Sequence, residues 1–386
     1  MDYLESEALL DLPIQARALR SLASREKRRF SEAWRVLMGG GGVRALVLAD
    51  LPLTGLGVFE ALLAQSWMVR FADPEQMVLL AQAAVDVIQH LDHRRHDPRV
   101  LADLKARAWG ELGNAYRVAD RLQSAREAFG KAYRFMQAGT GDPYLRARLF
   151  EVEGSLLGTW RDFPLALPRL RSIADTYLDL KETHLAGRAL IILALYTFYS
   201  GSAEEAIQLN DRGSQLIDRQ RDPALFLFSL HNHLLFLVDL KLYSQAKKLL
   251  FKNRGNLIYK DRISFFRLRN IEGKIAYGLG QIVSAEIAFR EARDGMAESK
   301  MSFHAALLTL ELAMALMKLL RVDEAEKEVI AAREIFLSLE VYDEYLGSVL
   351  FLEELFRRQE ATAELIEATV EHIWKKSLLV KPRQLR

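Results

Sequence analysis

Residues 109–116 read Trp109-Gly110-Glu111-Leu112-Gly113-Asn114-Ala115-Tyr116, and Ala125, Phe129 and Ala132 follow. Small residues at fixed offsets from large ones are what two helices need in order to pack closely. The arrangement recurs. Taking the small residue that opens each second helix as a ruler gives Ala125, Ala166, Ala206, Ala246, Ala285 and Ala325, 39 to 41 residues apart. The position of Gly113 is small again at Gly154, Ala194, Gly273 and Ala313, while Leu234 breaks the rule and predicts that the fourth unit splays or shifts register. Turn signals fall between the helices. Asp142-Pro143 and Asp222-Pro223 precede first helices, with proline where its missing N–H costs nothing. Gly201-Ser202 and Gly280 interrupt the pairs, with Ser202 placed to cap a second helix.

The landmarks Trp109, Leu112, Gly113, Tyr116, Ala125 and Phe129 match the W-x2-L-G-x2-Y…A-x3-F pattern, so the chain resembles the tetratricopeptide repeat family. Its interval of about 40 residues exceeds that family's usual 34, which implies longer helices or loops. The expected fold is all-α, a right-handed solenoid of about seven helical hairpins with capping helices at both ends. Residues 1–45 form an N-terminal helical cap and 46–98 a degenerate hairpin. Six repeats span 99–336, a closing hairpin 337–376, and a basic tail 377–386.

Composition agrees. The chain has 386 residues, half of them hydrophobic, with only 22 glycines and 9 prolines, which disfavours a loop-rich β protein. Its net charge of +2 demands neither nucleic acid nor membrane. The absence of cysteine removes disulfides, thiolate metal sites and cysteine nucleophiles, and suits a reducing cytoplasm. The start, MDYLESEALL, has no signal-peptide pattern, and the most apolar runs, Ala189 to Tyr199 and Ala224 to Val238, are too short to span a bilayer. A cytoplasmic protein is expected.

The family's register, carried over by position, places Arg107, Arg148, Arg188, Phe228, Arg267 and Leu307 at equivalent points of successive first helices, on the concave wall. Four arginines there would form a ladder for carboxylates, and an acidic segment or chain terminus is the expected ligand. The competing arrangement pairs each arginine with a glutamate of a neighbouring unit. If the ladder faces solvent, charge reversal along it leaves stability nearly unchanged. Asn114 occupies the asparagine position of peptide-carboxylate clamps in related repeats, but the partner lysine position is Gly110. Asn270, Lys274 and Tyr277 give the fifth unit a hydrogen-bonding patch. Ile191, Leu195, Phe198, Phe228, Leu235 and Val238 make the middle of the wall apolar, continued by Leu307, Leu310, Met314 and Met317. Such residues build either core or a groove for a peptide or helix.

No catalytic constellation is present. His90, His93 and His96 have metal-like spacing, but at a helix end histidines also satisfy free carbonyls, and no metal is assigned. Gly39 to Gly42 lacks the following Lys-[Ser/Thr] of a phosphate loop and reads as a hinge. Between Arg17 and Arg35, seven basic residues face two acidic ones over a stripe of Leu19, Leu22, Phe30, Ala33 and Leu37. No helix-turn-helix glycine turn lies beside it, which argues against direct DNA reading. The sequence therefore predicts a non-enzymatic scaffold, without cofactor, that binds a protein or peptide. The second reading is a ligand-sensing regulator: the chain resembles the sensor half of bacterial tetratricopeptide-type transcription regulators, which bind signalling peptides.

Overall fold

Several first helices start where the sequence supplies an aspartate oxygen. Asp97 accepts hydrogen bonds from the Arg99 and Val100 amides, Asp142 from Tyr144, and Asp222 from Leu225, each with proline at the first helical position. In this computed structural model residues 18–70, 73–92, 94, 96–255, 262–299, 301–338 and 343–379 are described, without the side chains of 343–345 and 374–379. Among them every regular element is a helix.

The N-terminal helices are α1 (Ser24–Met38), α2 (Gly42–Leu48), α3 (Leu56–Val69) and α4 (Pro74–Gln89). Hairpins then follow as first and second helices: α5 (Pro98–Val118) with α6 (Leu122–Gln137), α7 (Pro143–Thr159) with α8 (Phe163–Asp179), and α9 (Thr183–Tyr199) with α10 (Ala203–Leu216). After these come α11 (Pro223–Asp239) with α12 (Tyr243–Lys252), α13 (Arg262–Gly278) with α14 (Ile282–Glu298), α15 (Ser302–Lys318) with α16 (Val322–Ser338), and α17 (Asp343–Arg357) with α18 (Ala363–Leu379). The fold is an all-α solenoid of helical hairpins. All six ruler alanines are fully buried, as close approach requires.

Each hairpin turns through one left-handed residue: Asp120, Arg161, Gly201, Lys241, Gly280, Leu320 and Gln359, at the same interval of 39 to 41 residues. The next amide in each case returns to a carbonyl five residues back. Examples are Arg121 to Tyr116 (2.8 Å), Gln281 to Ala276 (2.8 Å) and Glu360 to Leu355 (2.8 Å). This bond closes the Schellman motif and satisfies a helix-end carbonyl.

Close packing explains the small positions. A Cβ at Gly187 of α9 would lie 2.7 Å from the Gly213 carbonyl of α10, and one at Gly213 would lie 2.8 Å from the Gly187 carbonyl. Only a glycine pair permits that crossing. At the fourth unit Leu234 is fully buried, and the visible departure is in length, with α12 only 10 residues long. The Gly39 to Gly42 run reverses the chain between α1 and α2 through three left-handed glycines, and Gly42 opens α2. The 45/46 boundary expected from sequence therefore falls inside a helix. At the other end α18 runs three residues into the expected tail, to Leu379, and residues 380–386 lie outside the described residues.

The chain divides into two units. The first runs to Tyr196 and takes in Arg212–Phe226; the second comprises Thr197–Asp211 and the chain from Leu227. In the first, Phe30, Ala33 and Leu37 of the basic helix α1 are buried against its neighbours, as are Leu19 and Leu22 in the separate segment just before it. In the second, Phe289, Met296, Leu312, Phe336, Ile366 and Ile373 share one core. No helix among the described residues is long and apolar enough to cross a membrane.

Candidate functional site

The arginines of the first unit do not face solvent. Arg107 is 6% exposed and forks onto Glu60 of α3, with Nη1–Oε1 2.7 Å and Nη2–Oε2 2.8 Å. Arg148 does the same to Glu111 of α5 through Nε (2.8 Å) and Nη2 (3.0 Å), and also reaches Glu151 at 3.3 Å. Arg188 forks onto Glu151 of α7 at 2.8 and 2.9 Å. Each arginine is thus neutralised by a carboxylate from an earlier first helix. The expected ligand-binding ladder at Arg107, Arg148 and Arg188 gives way to a buried ladder of bidentate ion pairs. The matching expectation of negligible stability effects falls with it, because a buried charge that loses its partner is expensive.

Electrostatics follow the geometry. Burial alone would raise the Glu151 pKa, but Arg188 and Arg148 together outweigh it and bring the carboxyl down to about 2. The Tyr177 hydroxyl donates to the same carboxylate at 3.0 Å. Glu60 is shifted upward instead, because burial outweighs its single arginine. The Trp67 ring lies 4.9 Å from the guanidinium carbon of Arg148 and 5.5 Å from that of Arg188, an aromatic lid on the ladder that its sequence position did not signal. Asn114 is also buried; its Oδ1 accepts from Arg117 Nε (3.2 Å) and Nη2 (3.0 Å), so it positions a guanidinium rather than facing the groove.

In the second unit the ladder is interrupted. His231 stands three residues after Phe228, as Glu151 stands three after Arg148, so a neutral ring takes the carboxylate position ahead of Arg267. Arg267 is exposed. Its charge is felt at His231 of α11 and His304 of α15; burial first, then Arg267, lowers each histidine to about 4. One helical turn on, Asn270 occupies the carboxylate position, and the next unit offers Leu307 where an arginine would pair with it. Asn270 Oδ1 and Asn232 Nδ2 are buried with no hydrogen-bond partner among the described residues. Ionic rungs resume immediately: Lys274 Nζ meets the buried Glu311 carboxylate at 2.9 Å. Arg267, Asn270, Lys274 and Tyr277 share one face of α13 at helical spacing.

The apolar candidates are mainly core. Phe198 is buried against Phe236, with ring centroids 4.8 Å apart, and Leu235 packs on the cluster around Leu234 and Ile271. Phe228 remains half-buried. No group of metal-ligating side chains assembles among the described residues. His93 lies outside them, and His90 Nδ1 lies 2.8 Å from the Asp86 carbonyl at the end of α4.

The hairpins and their interval give a tetratricopeptide-like helical repeat fold. Among solved structures the chain is similar to a Rap protein complexed with competence and sporulation factor. They share 12% identity at a TM-score of 0.61, over 83% of this chain and 87% of that one. It is also similar to the apo form of RapI, at 14% identity and TM-score 0.54, over 96% and 98% of the two chains. At such identities the likeness is one of fold. No family model matches the chain, and no curated protein matches it in sequence.

Proposed function

We propose that this is a non-enzymatic peptide-binding protein of the tetratricopeptide-like class. Its ligand would present a carboxylate to Arg267 and its backbone to Asn270 and Asn232. The interruption of the ladder carries this reading. Three equivalent arginines are neutralised from within, whereas Arg267 has His231 where the others have glutamate. A peptide's acidic side chain or terminal carboxylate supplies the missing charge, and side-chain amides match peptide N–H and C=O groups. Of scaffold and sensor, the likeness to a Rap protein complexed with a factor favours the sensor of a short peptide, acting through a separate protein.

The test is a library of short free-acid peptides and its amidated counterpart, screened on the protein and on Arg267→Glu. Selected peptides should carry a free or side-chain carboxylate and lose at least about tenfold in affinity on the variant, consistent with a charge-assisted bond of about 1.5–3 kcal/mol. The melting temperature should stay the same. Identical selection by both proteins, or none by either, would remove Arg267 from the site.

A further inference from the structure

The last helix does not simply close the array. In a stacked hairpin series a final second helix packs on its own first helix, here α17. Yet α18 lies chiefly against α15, and its acidic stripe reaches back along the unit. Glu364 pairs with Lys318 at the end of α15, with Nζ–Oε1 2.5 Å. Glu371 pairs with Lys241, in the turn after α11, at 3.2 Å. Between them Tyr277, near the end of α13, packs against the core cluster to which Ile366, Val370 and Ile373 of α18 belong, and burial first, then Glu367 and Glu364, raise its pKa. One helix therefore packs on α15, pairs with the turn that follows α11, and shares a core cluster with the end of α13.

The two sides of α18 differ in kind. Ile366 and Ile373 are fully buried and Val370 nearly so, giving an apolar seam at helical spacing. The ion pairs are open to water: Lys318 and Glu364 are 37% and 71% exposed, and Lys241 and Glu371 are 62% and 44% exposed. Such pairs select an orientation and are weakened by salt. An exposed turn, with Gln359 in the left-handed conformation, joins α18 to α17. This is the anatomy of a helix laid in a groove by apolar anchors and flanking charges.

We propose that the face formed by the ends of α11, α13 and α15 is a second recognition surface, specific for an acidic amphipathic helix, with α18 as its exchangeable resident. A partner would present glutamates spaced as Glu364, Glu367 and Glu371 and apolar residues spaced as Ile366, Val370 and Ile373. The surface uses Lys241, Tyr277 and Lys318 and is independent of Arg267.

The experiment uses the full chain with a protease site inserted between Gln359 and Thr362, cut after folding, and a fluorescent peptide of residues 363–379. The cut protein should keep its helical circular dichroism and exchange its own C-terminal segment for the peptide. The uncut chain should bind the peptide at least about tenfold more weakly, since its resident competes at high effective concentration. A Glu364→Lys/Glu367→Lys/Glu371→Lys peptide should compete about tenfold less well, and raised salt should erase that difference. Arg267→Glu should alter none of this, which separates the surface from the peptide site. Loss of helical signal on cutting, a cut chain that never exchanges, equal binding by the uncut chain, or equal competition by the charge-reversed peptide would each overturn the proposal.

Discussion

At the residue scale, identical side chains at equivalent positions have opposite fates because of what stands in the neighbouring unit. Arg107, Arg148 and Arg188 meet Glu60, Glu111 and Glu151, whereas Arg267 follows a unit carrying His231. The position of every arginine was legible in the sequence. The pairing signal was also present, since Glu111 and Glu151 follow Arg107 and Arg148 by four and three residues, but it emerges only when adjacent first helices are aligned. Energetics should separate the two groups. Arg107→Met leaves Glu60 buried without its counter-charge and should cost about 3–5 kcal/mol, read by urea unfolding. Adding Glu60→Leu should recover most of that loss, because the uncompensated charge is then gone as well. Arg267→Met, at an exposed site, should stay within about 0.5 kcal/mol of the parent. A small effect at Arg107 would mean that water reaches the Glu60 pair.

At the scale of the element, the repeat is held to its interval by a turn that the sequence only half displays. Helix starts and the small packing positions are chemical signals: aspartate before proline, alanine or glycine at a crossing. The left-handed turn residue is different. Only Gly201 and Gly280 announce it, while Asp120, Arg161, Lys241, Leu320 and Gln359 adopt the same conformation without a glycine. Packing of the two helices imposes it, and the Schellman bond partly offsets its strain. Leu320 is the extreme case, 86% exposed, so its side chain gains little from burial in return. Replacing Leu320 by glycine relieves left-handed strain of about 1–2 kcal/mol against an added unfolded-state entropy of about 0.4–1 kcal/mol. Leu320→Gly should therefore raise stability, by up to about 1 kcal/mol. The opposite exchange, Gly187→Ala, drives a Cβ into the Gly213 carbonyl and should cost about 1–3 kcal/mol. Thermal melts of the two variants should move in opposite directions.

At the scale of the whole molecule, period and fold class were readable because every hairpin repeats the same packing problem. The return of α18 was not, since its partners at Lys241, Tyr277 and Lys318 lie far away in sequence and follow no repeat. Acid stability is likewise a property of the assembled chain. His184, His231 and His304 all titrate near 4, each chiefly through burial. For His184 the neighbouring Arg221 and Arg188 add to the effect, and its Nδ1 accepts the Asp218 amide at 3.0 Å, a bond that needs the neutral ring. An unfolded histidine titrates near 6.5, so between pH 6.5 and 4 the unfolded chain takes up protons that the folded chain refuses. Stability is fully present above pH 6.5 and falls as the pH drops toward 4, by on the order of 2–3 kcal/mol for a single histidine shifted this far. The contributions of His231 and His304 overlap, because both depend on Arg267. Glu151 acts in a separate window: held near 2, it withdraws its support only below pH 4.5. Urea unfolding from pH 7.5 to 5 should thus show a progressive loss in the parent. A His184→Asn/His231→Asn/His304→Asn variant should not show this loss, any remaining slope running the other way through the raised carboxyl of Glu60, and both proteins should weaken together below pH 4.5. Parallel curves from pH 7.5 to 5 would mean that protonated histidines are tolerated inside the fold. They would also mean that the break in the ladder at His231 can carry positive charge without a ligand.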